Sequence, residues 1–230
     1  METITLHSTV PESLGEFHLS NKEYCQYLYY PIKLAGSFIL EMEPRLQFLN
    51  HLVTSALLNE NKGKDFDWLK KQYVYLTVKQ TLVPKGIDQN RPGFHSDGFG
   101  TNDVQYIWFD KFPTEFMIGN YTVPVDDVES MREFEKFGNW ISAMRKSDGT
   151  WHQKEKNGFF HQPSPFHLYR IDQNHIHRTV PAPETDVRLF VKLTISEHRY
   201  AQEGNSHNYG LNYDWEMTHR KTDRNQPHQK

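Results

Sequence analysis

The chain has 230 residues, and its 26 Lys and Arg against 29 Asp and Glu give a formal net charge of −3, which excludes a dominant basic footprint for nucleic acid. Its apolar content is weighted to 15 Phe, 12 Tyr and 5 Trp, with very little Ala, and this argues against a helical bundle. A mean hydropathy of −0.77 and the lack of any apolar run of about 18 residues exclude an ordinary membrane-spanning helix.

The one cysteine, Cys25, excludes an intramolecular disulfide framework and any multi-cysteine metal site. The opening Met1-Glu2-Thr3-Ile4-Thr5 carries neither a basic region nor an apolar one, so the expectation is a cytoplasmic protein. No repeat or Gly/Ser-rich linker divides the chain, which reads as a single domain over 1–230.

Taken in chain order, residues 23–42 alternate aromatic and aliphatic side chains and read as extended. Pro44 opens a helix whose apolar stripe carries Leu46, Leu49, Val53 and Leu57, with Gly63 at its end. A short helical piece over Phe66–Lys71 leads into the strand-forming run Tyr73–Val78. Residues 1–72 thus read as an N-terminal strand and helical support for a β-rich core over 73–196.

Turn signals follow at Pro84-Lys85-Gly86, Arg91-Pro92-Gly93 and Asp97-Gly98-Phe99-Gly100. Strands are predicted at Val104–Phe109 and Glu115–Val123. Asp126 or Asp127 caps a helix at about 127–146, with Val128, Met131, Phe134, Phe137, Ile141 and Met144 on one stripe. Strands resume at Phe166–Ile171, His175–Val180 and Val187–Ser196. In the last of these Leu189, Val191, Leu193 and Ile195 alternate with Arg188, Phe190, Lys192 and Thr194. Beyond Glu197 the chain is polar, and Thr218–Lys230 reads as a mobile tail.

The chemistry concentrates in two short segments. In Phe94-His95-Ser96-Asp97 the imidazole and the carboxylate are two residues apart, so on extended backbone both point the same way and can converge on one metal ion. A third donor is available in His175-Ile176-His177, where either His can serve. Two imidazoles and a carboxylate on one face of an octahedral ion leave three positions open, the arrangement of non-haem Fe(II) oxygenases. Arg188 follows His177 with the turn 181–186 between them. If the two lie on consecutive strands of a hairpin, the guanidinium returns to the depth of the metal, where its planar fork can hold a carboxylate. That spacing favours His177 over His175.

This order of His-x-Asp, a distal His and a strand-borne Arg resembles the Fe(II)/2-oxoglutarate-dependent oxygenase superfamily, over roughly residues 73–196. The resemblance implies a double-stranded β-helix, a jelly-roll or cupin-like core, with N-terminal helices and a helical insertion: a mainly β, α+β fold. It implies Fe(II) held by His95, Asp97 and His177, with Arg188 anchoring the far carboxylate of the co-substrate 2-oxoglutarate. The reaction implied is oxidative decarboxylation coupled to hydroxylation of a small molecule or a side chain. A second contact to 2-oxoglutarate is left open among Tyr75, Tyr106 and Lys192, of which only Lys192 shares a strand face with Arg188. Tyr106 and Trp108 share a face and are the candidate substrate-lining residues. Competing readings are a cupin-like metal-dependent isomerase or hydrolase and a metal-free β-barrel binding module. No P-loop, dinucleotide fingerprint or nucleophile elbow is present.

Overall fold

Alternating apolar side chains draw twelve segments among the described residues into antiparallel strands, and two longer helices cover the sheets they form. The structure, a computed structural model, describes residues 2–20, 23–65, 67–88, 92–143 and 159–220. In chain order the first strands are β1 (Thr3–Ser8), β2 (Glu12–Glu16), β3 (Gln26–Lys33), β4 (Tyr73–Val83), β5 (His95–Ser96) and β6 (Val104–Phe109). The remaining strands are β7 (Glu115–Met117), β8 (Gly119–Pro124), β9 (Phe160–His161), β10 (His167–Asp172), β11 (Ile176–Arg178) and β12 (Asp186–Ser196). The helices are α1 (Asn50–Asn61), α2 (Trp68–Lys71) and α3 (Asp127–Ala143), with a 3-10 turn over Pro44–Leu49 leading into α1.

A six-stranded sheet runs β2-β10-β6-β12-β4-β3, a four-stranded sheet runs β5-β11-β7-β9, and β1 pairs with β8. All of these pairings are antiparallel. On β12, Leu189, Val191, Leu193 and Ile195 form one core with Leu52, Val53, Ala56 and Leu57 of α1. The alternate residues face the four-stranded sheet: Lys192 reaches Asp97 just beyond β5, and Phe190 packs on the cluster that joins Ile107 and Phe109 to Phe116 of β7. Helix α3 covers the four-stranded sheet and the β1–β8 pair, burying Phe134 and Ile141 against Phe94, Met117, Tyr121 and Ile176. The order through the molecule is therefore α1, six-stranded sheet, four-stranded sheet, α3.

This agrees with the expectation of a mainly β chain with flanking helices. Several boundaries differ for local reasons. The stripe expected from Pro44 onward begins as a 3-10 turn before the α-helix, and Gly63 follows with a left-handed φ of 74°. The expected strand over Glu115–Val123 breaks between β7 and β8 as the chain leaves the four-stranded sheet for β1. Asp126, not Asp127, caps α3: its Oδ1 accepts the Val128 and Glu129 N–H groups at 3.0 and 2.9 Å. The polar stretch after Glu197 is folded as far as it is described, with Tyr200 and Asn208 buried and Asn208 Nδ2 donating to the carbonyls of Pro31 and Glu41. Phe66, Arg91, Met144 and the tail beyond residue 220 lie outside the described residues. Among the described residues no helix is long and apolar enough to cross a membrane.

Candidate metal centre

The pairing of β5 with β11 decides where the two imidazoles meet. His95 and His177 are directly opposite one another in the antiparallel register, with ring centroids 4.6 Å apart. Asp97 follows two residues after His95, where Gly98, with φ 69°, turns the chain sharply. Thr101 holds that turn by donating its N–H and hydroxyl to the Gly98 carbonyl at 2.9 and 2.7 Å. The result brings one ligand atom each from His95, Asp97 and His177 within 4.8 Å of one another, a group that could hold a metal ion.

Both imidazoles are oriented for that role by backbone carbonyls. His95 Nδ1 lies 3.0 Å from the Gly93 carbonyl, and His177 Nδ1 lies 2.8 Å from the His175 carbonyl. A carbonyl can only accept, so each Nδ1 carries the proton and each Nε2 keeps its lone pair for a metal. Burial pulls the His177 imidazole below its ordinary pKa against the opposing pull of Asp97, which favours the neutral, ligating form. Burial pushes the Asp97 carboxyl up, but Lys192, His177 and His95 outweigh it and hold the group well below the usual carboxylate range. Asp97 is therefore an anion facing two imidazoles.

Lys192 is the charged neighbour that spacing alone did not place. Its ammonium donates to Asp97 Oδ2 at 2.7 Å from the facing sheet, while His177 Nε2 lies 4.0 Å from the same oxygen. A carboxylate has about four lone-pair sites, so one ammonium contact leaves room for a cation. Lys79 is opposite Phe190 in register and so lies on the same inner face as Arg188 and Lys192, and both of these cations lower its pKa, after burial. The inner face thus gathers three cations beside one triad carboxylate.

Arg188 sits on that face, 2% exposed, but not on a hairpin with His177 as the spacing suggested: β12 belongs to the six-stranded sheet and β11 to the facing four-stranded one. Its Nε donates to the Lys111 carbonyl at 3.0 Å, and its Nη2 is buried with no hydrogen-bond partner among the described residues. Burial pulls the guanidinium down to about 10, which leaves it cationic at neutral pH. Phe109 and Phe190 flank it, with its Cζ 5.6 and 4.9 Å from their ring centroids.

Other candidates lie elsewhere. His175 is outside the triad, its Nδ1 3.0 Å from Asp172 Oδ1 in the turn before β11. Tyr106 and Trp108, expected to line a substrate pocket, face α1, on the side of the six-stranded sheet away from the triad. Tyr106 donates its hydroxyl to Glu60 at 2.9 Å, and Trp108 Nε1 donates to the Phe17 carbonyl at 2.9 Å. The residues of β6 on the triad side are Gln105, Ile107 and Phe109, one step out of phase. Tyr75 donates to the His198 carbonyl beneath the C-terminal segment, so of the three candidates for a second anion contact only Lys192 reaches the centre.

Compared with known proteins, the chain matches no family model and no curated sequence.

Proposed function

We propose that the protein is a non-haem Fe(II)- and 2-oxoglutarate-dependent oxygenase, most simply a hydroxylase. His95 Nε2, His177 Nε2 and the Asp97 carboxylate would hold the iron, a three-donor set that leaves room at the ion for a co-substrate. When bound there, iron supplies the overall reaction of 2-oxoglutarate, O2 and a substrate C–H bond to succinate, CO2 and a C–OH bond. The chain's own part is to bind, orient and exclude water. Arg188 would take the far carboxylate, Phe109, Phe116 and Ile107 keep the inner face dry, and Lys79 with Lys192 balances a dianion. The double-stranded β-helix reading of the fold belongs to the same proposal, supported by two antiparallel sheets facing each other around the triad.

The observation that carries this reading is the buried Arg188 Nη2. A guanidinium N–H sealed from water without an acceptor is a costly arrangement unless a ligand supplies one. It lies on the inner face that also bears the Asp97 contact. In an isomerase or hydrolase with the same triad, Arg188 would bind the substrate and not a co-substrate. The Lys192–Asp97 ion pair favours one second reading, a metal-free binding module in which the ammonium itself satisfies the carboxylate.

One experiment separates them. Adding 2-oxoglutarate to the anaerobic Fe(II)-loaded protein is expected to raise a weak visible charge-transfer band. Arg188→Met should lose that band while still binding Fe(II), with 2-oxoglutarate affinity down by about 100-fold, the equivalent of about 3 kcal/mol for one charge-assisted anchor. A variant that binds 2-oxoglutarate as the parent does overturns the assignment of Arg188. Iron bound without any band leaves the isomerase or hydrolase reading, and no iron bound leaves the metal-free module.

A further inference from the structure

We infer that the cleft between β3 and the C-terminal segment is the substrate site, and that the substrate presents a flat, uncharged ring to it; the substrate role rests on the proposed metal chemistry, the ring-binding role does not. The cleft encloses about 310 Å³ and its walls include Tyr29, Tyr200, His207, Tyr213, Trp215 and Met217. That volume is at the lower end for a small-molecule site and suits one ring or a fused pair. The rings are not one packed stack. Tyr213 and Trp215 centroids are 4.5 Å apart and tilted, His207 and Tyr213 are 4.6 Å apart, and Tyr29 and Tyr200 are 5.1 Å apart. They present several faces to one space, which suits offset and edge-to-face contacts with a planar guest.

Position ties this cleft to the metal centre. Tyr29 lies where the β3–β4 register shifts, between Tyr27 and Tyr30, and adopts a left-handed φ of 45°. Such a bulge re-aims one side chain out of the strand's alternation. Here it aims the Tyr29 ring to within 5.3 Å of Lys192 Nζ, which itself touches Asp97 at 2.7 Å. Along the inner face of β12, Arg188 lies four residues to one side of Lys192. Two residues to the other side, Thr194 is opposite Tyr75, whose ring meets those of Tyr200 and Trp215 at 5.4 and 6.5 Å. An anion anchor, the triad's carboxylate and an aromatic cleft therefore follow one another along a single sheet face.

Charge selects among flat guests. Two of the rings already carry a cation: Lys192 at Tyr29, and Arg199 Cζ at 5.9 Å from the Trp215 centroid. Glu203 on the cleft's rim pairs with His219 at 2.8 Å. A second cation would meet like charge, whereas a neutral ring would not.

The test uses three probes on the metal-free chain by titration calorimetry: indole (flat, neutral), cyclohexanol (neutral, not flat) and tetramethylammonium (cationic). Indole is expected to bind about ten-fold or more tightly than either of the others. Trp215→Ala should weaken indole about ten-fold, with Trp215→Phe recovering most of it and thermal stability little changed in both. Indole binding no better than cyclohexanol or tetramethylammonium, or unaltered in Trp215→Ala, overturns the cleft assignment even if the triad binds metal. Proximity is read by loading the parent with Mn(II), which should broaden the proton resonances of bound indole, and His177→Ala should abolish the broadening. Indole bound without broadening, in protein shown separately to hold Mn(II), overturns the substrate role; a chain that binds indole but no Mn(II) overturns the metal reading and leaves the cleft standing.

Discussion

Asp172 fixes the turn that delivers His177 to its place opposite His95. Its Oδ1 lies 3.0 Å from His175 Nδ1 and accepts the Asn174 N–H at 2.9 Å, and the His175 carbonyl in turn holds His177 Nδ1. Burial pushes the Asp172 carboxyl up, but the His175 and Asn174 contacts and Arg170 outweigh it and bring the group to about 2. An unfolded aspartate titrates at about 3.9. Because the folded value is the lower one, the contribution is complete above the unfolded value and fades as pH falls from about 4 toward 2, and it is on the order of 2 kcal/mol. Asp172→Asn is expected to lose roughly that stability at pH 7. It should also flatten the decline of the urea midpoint between about pH 4 and pH 2 relative to the parent. Parallel pH profiles for the two proteins would show that the Asp172 contacts contribute nothing to folding.

At the scale of elements, α3 is the insertion whose purpose sequence alone left open, and it sets the position of β5. Phe94 packs its ring onto the helix at Gly138, where an added Cβ would overlap the ring, and the Phe94 N–H donates to the Glu135 carboxylate. Since His95 is the next residue, the helix seats a member of the triad one residue away. Gly138→Ala gains about 0.5–1 kcal/mol in helix propensity but overpacks a buried contact, typically at a loss of about 1–3 kcal/mol. The expected net is a loss of about 1 kcal/mol in stability with weakened Mn(II) binding, partly restored by adding Phe94→Leu. A more stable Gly138→Ala protein with unaltered Mn(II) affinity would mean that α3 does not position the centre.

The same scale explains what was legible. The α1 and α3 stripes and the β12 alternation carry their period in consecutive residues, so they could be read directly. The triad could be read as well, since His-x-Asp on extended backbone and a His spaced from a strand Arg are local patterns. The face of Tyr106 and Trp108 could not: every residue of β6 is buried, because α1 covers one side and the four-stranded sheet the other, and alternation then marks no direction. β5 is two residues long and exists through its pairing with β11, so no periodicity announces it. β1 finds its partner β8 more than a hundred residues away, and Lys192 finds Asp97 at 95. In the C-terminal segment the available signal was Tyr200, Tyr209, Tyr213 and Trp215 within an otherwise polar stretch.

For the whole molecule, the centre joins parts that are distant in the chain. The triad comes from β5, the turn after it and β11, the charge facing it comes from β12, and helices close both outer faces. An unfolded chain cannot assemble these donors, so a metal that binds them binds the native state alone and must stabilise it. At a free concentration about 100 times its dissociation constant the gain is about 2.7 kcal/mol. For a chain of this size that corresponds to a rise in Tm of about 5–10 °C. Saturating Mn(II) is expected to produce that rise in a thermal melt, and a chelator to reverse it. His177→Ala and Asp97→Asn should melt at the same temperature with and without the metal, while Arg188→Met should keep the shift, because the role proposed for it concerns the co-substrate and not the ion. A parent protein whose Tm ignores Mn(II) would leave Lys192 as the cation that Asp97 binds and the triad a polar cluster without a metal.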